Sequence, residues 1–311
     1  MLHSVAPRTG LAELAALVGS QASPAGSISW KIDHDQRVNL LLFAYGGSGG
    51  DDPNYTDTVI VLSIRPRPLA ATALSLPRHL SVDIPAPVNG SLSGLLYATY
   101  SVGKAQDTRF LQPRWLTPTG AGDLLAATVS DTIAEAIDGW VGLDEHAFAA
   151  IIDALGGVRV DVPVALDDRL YPLDDSNRTT HVHFDAGEQT MHGTRALEYA
   201  RSRRSTSEAD RAARQELVLV AMLHALRDFH PGLDLLRALG PIAAGLRTDL
   251  VPIDARALSS VAGRIDPMNV RRVRLEDSGL IETRTDGPLD TVVPVSGNYN
   301  DVRRFVASEL P

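Results

Sequence analysis

Cysteine is absent from this chain, which excludes disulfides, thiol catalysis and the cysteine-based metal sites. A basic excess is absent too. The formal net charge is -9, and nucleic-acid binders usually carry the opposite sign. No run of 18 apolar residues occurs, so nothing in the sequence spans a bilayer. Met1 to Gly26 lacks the basic start and apolar stretch of a signal peptide, and the chain as given reads as soluble. There is no Gly-x-x-x-x-Gly-Lys-Ser/Thr for a P-loop and no Gly-x-Ser-x-Gly elbow for a hydrolase triad. Aromatic residues make up only 5%, and Tyr97, Tyr100, Phe110 and Trp115 gather in one stretch that is hard to place.

What the chain does contain is a globular balance, 44% apolar and 22% charged over 311 residues, enough to bury a substantial core. Positive charge is concentrated between Ala196 and Gln215, where Arg201, Arg203, Arg204, Arg211, Arg214 and Gln215 could all grip an oxyanion. An acidic protein that gathers cations in one place is suited to a small anion there. The apolar run from Glu216 to Leu226 predicts a buried helix directly after them. Arg211, Arg214 and Gln215 are spaced i, i+3 and i+4, so they share a face. Ser207 with Asp210 resembles a capping box and places the helix start. Guanidinium groups beside a helix N-terminus suit a phosphate or pyrophosphate. A solvated face ion-paired with Glu198, Glu208, Asp210 and Glu216 accounts for the same run equally well.

Residues 1–36 read as a lead-in with one short helix (Gly10 to Val18), and the core begins at Arg37. Apolar or β-branched runs predict strands at Val38 to Ala44, Thr58 to Ile64, Ala71 to Leu76 and Leu80 to Ile84, in a mixed sheet with some hairpin pairing. A Gly-rich loop follows the first of them. Helices are predicted at Asp123 to Ile137 and Asp144 to Leu155, then a strand from Val158 to Val162. Leu166 to Phe184 reads as irregular, and Gly187 to Tyr199 as a short helix. Beyond the long helix come a helix at Ala255 to Arg264, strands at Asn269 to Leu275 and Thr291 to Val295, and a closing helix at Asn298 to Glu309. Mixed strands and helices without a repeat or composition break predict one α/β domain, a mixed central β-sheet covered by helices.

Three further constellations carry chemistry. Asp51, Asp52 and Asp57 lie in the Gly-rich loop and at the start of a strand, where carboxylates could hold a divalent cation or simply solvate a loop. Arg78 sits between two strands and needs an anionic partner, from protein or ligand. His181 and His183 would point the same way on a strand, but without a third ligand a surface role is the better expectation.

The order of motifs resembles the LytR-CpsA-Psr family of cell-envelope proteins. The resemblance rests on Asn39-Leu-Leu-Leu with Tyr45-Gly-Gly-Ser-Gly, Tyr55-Thr-Asp-Thr, Ser75-Leu-Pro-Arg-His-Leu-Ser-Val-Asp-Ile-Pro and Leu155-Gly-Gly-Val-Arg-Val-Asp-Val-Pro. It continues through Gly187 to Arg203 and Asp210-Arg-Ala-Ala-Arg-Gln. It implies a catalytic domain over residues 37–311, with helices on both faces of the sheet. It also implies transfer of a glycan phosphate from a polyprenyl-pyrophosphate carrier to peptidoglycan, on the extracytoplasmic side of the membrane. By motif, Arg78, Arg201, Arg203, Arg211 and Gln215 would hold the pyrophosphate, Arg78 and Asp57 would be catalytic, and Asp57 with Asp51 would bind Mg²⁺. The polyprenyl chain would lie in an apolar groove between sheet and helices. The resemblance favours Arg201, Arg203, Arg211 and Gln215 over Arg204 and Arg214. Departures are Tyr55 where the family often has Arg, no lysine in Ser91 to Tyr100, and no N-terminal membrane helix, which is expected in a longer parent. Hydrolysis of the lipid pyrophosphate, or carriage of polyprenyl phosphates without turnover, are the alternative readings.

Overall fold

A computed structural model describes residues 24–46, 54–172, 178–202, 208–227, 240–266, 269–285 and 289–311. The first elements are α1 (Ile28–Asp33), β1 (Val38–Tyr45), β2 (Thr56–Arg65), β3 (Ala70–Leu76), β4 (Ser81–Ile84) and β5 (Leu92–Leu95). Then follow α2 (Thr99–Lys104), α3 (Gly120–Ile133), β6 (Gly139–Asp144), α4 (Glu145–Ala154), β7 (Val158–Val162), β8 (Leu166–Pro172), β9 (Thr179–Phe184) and β10 (Gly187–Met191). The last are α5 (Gly193–Arg201), α6 (Glu208–Arg227), β11 (Leu246–Thr248), α7 (Pro252–Ala262), β12 (Arg271–Arg274), β13 (Ile281–Arg284), β14 (Thr291–Pro294) and α8 (Asn300–Glu309).

The central sheet has the order β11-β6-β1-β2-β3-β12. β1, β2 and β3 form an antiparallel meander, while β6 runs parallel to β1 and β12 parallel to β3. The sheet is therefore mixed, as the sequence predicts. Alternation along the strands sends side chains to opposite faces. Leu41, Phe43, Val59, Val61 and Leu74 pack with α2, α3 and α8. Leu40, Ile60, Leu62, Ala71 and Ala73 pack with Ile28 of α1 and with Leu258 and Val261 of α7. A third cluster joins β7, β8, β9 and β10 to α5 and α6. Both faces of one sheet are thus covered by helices.

The structure corrects several sequence expectations. β4 pairs with β5 in a separate ribbon instead of extending the central sheet. The stretch read as irregular, Leu166 to Phe184, is the β8–β9 hairpin. Its inward face was disguised by Asp168, which is buried yet accepts from the Ser202 hydroxyl and from the Leu170 N–H at 3.0 Å. Residues Gly187–Met191 form a strand, and the helix starts only at Gly193.

β6 is not among the strands expected from sequence; it contains Gly139 and Gly142, and glycine weakens a strand pattern. They fit for a steric reason: a Cβ on Gly142 would lie 2.5 Å from the Phe43 ring on the neighbouring strand. The lead-in assigned to residues 1–36 contains α1, whose Ser29 N–H donates to Asp254 on α7 at 2.8 Å. The helix expected at Gly10 to Val18 and the capping Ser207 lie outside the described residues.

Candidate functional site

β1 and β6 are parallel neighbours, and Tyr45 pairs with Asp144 at their carboxyl ends. Ligands of open α/β sheets gather beyond such ends. β2 enters at the same place with an irregularity: Ala44 pairs with Thr58 but Tyr45 pairs with Thr56. Asp57 is the extra residue of this β-bulge, and a bulge re-aims a side chain. Asp57 and Thr58 consequently line one and the same cavity although they are adjacent in sequence.

That cavity is a groove between the sheet and three helices, enclosing about 860 Å³ of empty space including its mouth. Leu42 and Ile60 of the meander and Val141 and Leu143 of β6 form its strand side. Phe148 of α4, Leu197 of α5, and Leu219 and Met222 of α6 form its helix side. Polar groups collect with Asp57: Tyr45, Asp144, Glu145, Arg201 and Gln215. Gly46 leaves β1 at φ 143°, and a Cβ there would come within 3.0 Å of Glu145 Cγ, so glycine lets the chain pass close beside this carboxylate.

The cations come from three directions. Arg78, in the turn after β3, donates to Asp57 Oδ1, and its guanidinium lies 4.8 Å from the centre of the Tyr97 ring. Tyr97 meets Tyr55 edge-on at 4.7 Å. Tyr55, at the position where the resemblance implies a further arginine, therefore supports the platform under Arg78. Arg211, in the first turns of α6, brings Nη1 to 3.7 Å from the same Asp57 oxygen. Arg201, the last residue of α5, donates to Glu145. All three arginines are nearly buried, at 10%, 5% and 14% side-chain exposure. Arg78 Nε and Arg201 Nη2 are buried and make no hydrogen bond among the described residues. A buried donor left unmade costs about 1–3 kcal/mol, more when charged, so these two N–H groups mark where a ligand oxyanion would be stabilised.

Of the sequence-assigned residues, Asp57, Arg78, Arg201, Arg211 and Gln215 are brought together. Asp51, Arg203 and Arg204 lie outside the described residues. Arg214 does not join them. Its Nε donates to Tyr199 O at 2.9 Å and its Nη2 donates to Ser202 O, placing a positive charge on the last carbonyls of α5. Sharing a helix face with Arg211 was not enough, because α5 packs over that side of α6. Arg214→Ala is expected to destabilise the fold by about 3 kcal/mol, since it strips a buried charged donor from two carbonyls. Urea unfolding checks this, and a wild-type midpoint would contradict the assignment.

Sequence reasoning missed Glu145, Tyr45 and Tyr97. Glu145 opens a helix capped by Asp144, whose carboxylate accepts from Ala147 N at 2.7 Å, and nothing in the spacing tied it to Arg201, 56 positions away. Burial pushes the Tyr100 phenol up to about 12 and raises that of Tyr45, 5.0 Å away between ring centres. Both phenols stay protonated at neutral pH, so neither serves as a base.

The site thus joins an apolar trough to three nearly buried arginines paired with two carboxylates. The LytR_cpsA_psr family model matches residues 10–288, and the chain belongs to this family. It is 29% identical over 170 residues to the polyisoprenyl-teichoic acid–peptidoglycan teichoic acid transferase TagV of Bacillus subtilis, covering 54% of this chain and 38% of that protein. It is 30% identical over 194 residues to the TagU transferase of Oceanobacillus iheyensis, covering 62% and 52%. The chain thus spans about half or less of the length of these curated relatives. The crystal structure of B. subtilis TagV superposes with a TM-score of 0.64 at 21% identity, over 89% of this chain and 98% of that one. TagT bound to LIIa-WTA gives 0.64 at 19% identity, over 88% and 91%. Among the described residues no helix is long and apolar enough to cross a membrane.

Proposed function

We propose that this chain transfers a glycan phosphate from a polyprenyl-pyrophosphate carrier to a hydroxyl of peptidoglycan, at the extracytoplasmic face of the cell membrane. The observation that carries this reading is the convergence of Arg78, Arg201 and Arg211 on two carboxylates beside an apolar groove. The polyprenyl chain lies in the groove and the pyrophosphate meets the guanidiniums. Similarity to transferases named for polyisoprenyl-linked teichoic acid and peptidoglycan supports the same substrates.

Asp57 occupies Arg78 and stands near Arg211 as the internal anion. A pyrophosphate carries more charge and more acceptor oxygens than one carboxylate, so it displaces Asp57 from both arginines. Freed, Asp57 faces the groove next to the phosphates. There it takes the proton of the attacking hydroxyl or acts as a metal ligand. The new bond joins the acceptor oxygen to the glycan-bearing phosphorus. The bond that breaks is the one from that phosphorus to the bridging oxygen, and polyprenyl phosphate leaves. Phosphoryl transfer asks chiefly for alignment and charge neutralisation, and the arginines provide both.

Mg²⁺ suits this donor set, because it takes one or two carboxylates and completes its shell with phosphate oxygens and water. Asp57 would hold it, with Asp51 as the second carboxylate assigned by sequence, and the ion would add to the neutralisation of the phosphates.

Purified protein given a polyprenyl-pyrophosphate-linked glycan, Mg²⁺ and peptidoglycan is expected to release one polyprenyl phosphate for each glycan attached. Release without attachment would instead make it a hydrolase, and binding without release would make it a carrier.

A further inference from the structure

A second cluster of chemistry-bearing side chains lies on the β8–β9 hairpin, apart from the groove. The antiparallel register sets Asp167 opposite His183, and His181 stands two residues along the same strand. Side chains at i and i+2 share a face, so all three project outward, while the intervening Val182 is buried. The third group that sequence reasoning did not find for His181 and His183 is therefore supplied across the hairpin.

His181 Nε2 meets Asp167 Oδ1, and His183 Nδ1 lies 3.4 Å from the same oxygen. One ligand atom from each of the three residues falls within 4.8 Å of the others. Zinc bonds of about 2.0–2.1 Å in a tetrahedron set neighbouring ligand atoms about 3.3 Å apart, so small side-chain rotations complete the shell. The far edge of His183 is also fixed. Its Nε2 lies 3.1 Å from Asp185 Oδ1, so that with a metal on Nδ1 the ring proton would sit on Nε2 and donate to Asp185. A carboxylate behind a histidine in this way orients metal-binding imidazoles.

We propose that Asp167, His181 and His183 form a binding site for a divalent transition cation, of which Zn²⁺ is the representative, with Asp185 as the positioning residue. Two imidazoles and one carboxylate suit zinc, nickel or copper and do not suit magnesium or calcium. The ion takes Nε2 of His181, Nδ1 of His183 and a carboxylate oxygen of Asp167, with water in the remaining position. It clips β8 to β9. The next residue of β8, Asp168, accepts from the hydroxyl of Ser202, which directly follows the helix ending in Arg201. The clip thus stiffens the wall behind the arginine cluster.

The test is equilibrium dialysis of the chelator-treated full chain against Zn²⁺, followed by calorimetric titration. One zinc per chain is expected at saturation. His181→Ala and His183→Ala are each expected to weaken binding at least tenfold. Both side chains are about half exposed, so the fold tolerates the changes, and circular dichroism verifies it. Asp185→Asn is expected to weaken zinc binding several-fold while leaving the stoichiometry at one. His192→Ala, at the separate His192–Asp153 pair, is expected to change nothing. No zinc uptake by the wild type, or uptake unchanged in both histidine variants, would overturn the proposal.

Discussion

Arg211→Ala is expected to weaken binding of a polyprenyl pyrophosphate by about 2–4 kcal/mol, a factor of roughly 30 to 1000. Arg211 is 4% exposed, and a charge this deeply withdrawn from water interacts in a lower effective dielectric than a surface arginine. Its Nη1 stands 3.7 Å from Asp57, so the ligand-free protein already directs it at the place where we put the phosphates. Arg211→Lys keeps the charge but loses the planar fork that matches two phosphate oxygens, and recovers only part of the affinity. Calorimetric titration with a soluble short-chain prenyl pyrophosphate reads the effect. Circular dichroism separates it from misfolding, because removing one partner of a buried ion pair also costs stability. Wild-type affinity in a folded Arg211→Ala protein would show that the head group lies elsewhere.

The second large effect has a split signature. Asp57→Asn is expected to cut turnover by about 10²- to 10⁴-fold, the usual span for losing a positioned acid–base group. Binding should move the other way. Asp57 competes with the ligand for Arg78 in the resting structure, and a neutral amide competes less. Affinity for the lipid pyrophosphate should therefore hold or rise while kcat collapses. Kinetic constants measured beside a direct binding titration make the test, with Mg²⁺ varied, since loss of the carboxylate should also raise the Mg²⁺ concentration needed for any residual rate. A fall in affinity as large as the fall in turnover would mean that Asp57 serves to organise the arginines and has no part in the chemistry.

The candidate site was legible in the sequence mainly through the family resemblance, since residue type and spacing alone left a solvated, ion-paired face equally open. Five of the assigned residues, Asp57, Arg78, Arg201, Arg211 and Gln215, stand at or beside the mouth of the groove. Their local contexts were readable: a β-branched strand start, a Pro-Arg turn, and the entrance to an apolar helix. The groove itself could not be read, since its lining is drawn from β1, β2, β6, α4, α5 and α6, and each of those side chains alone looks like ordinary core. Glu145 was invisible for a related reason, because only tertiary packing brings it to Arg201. The strand carrying Val141 and Leu143 is not among the expected ones: it holds Gly139 and Gly142, which weaken a strand pattern, although a Cβ on Gly142 would run into the Phe43 ring. Arg214 shows the limit of spacing rules. Positions i, i+3 and i+4 share a face, yet the helix packed above decides which of them meets a ligand.

The most direct test of this account is the crystal structure of the chain with a polyprenyl pyrophosphate bound. The account predicts hydrocarbon density between Leu42, Val141, Leu197 and Met222, the pyrophosphate hydrogen-bonded to Arg78, Arg201 and Arg211, and Asp57 released from Arg78. A pyrophosphate bound away from these arginines, or a prenyl chain lying outside the groove while the groove stays empty, would contradict it.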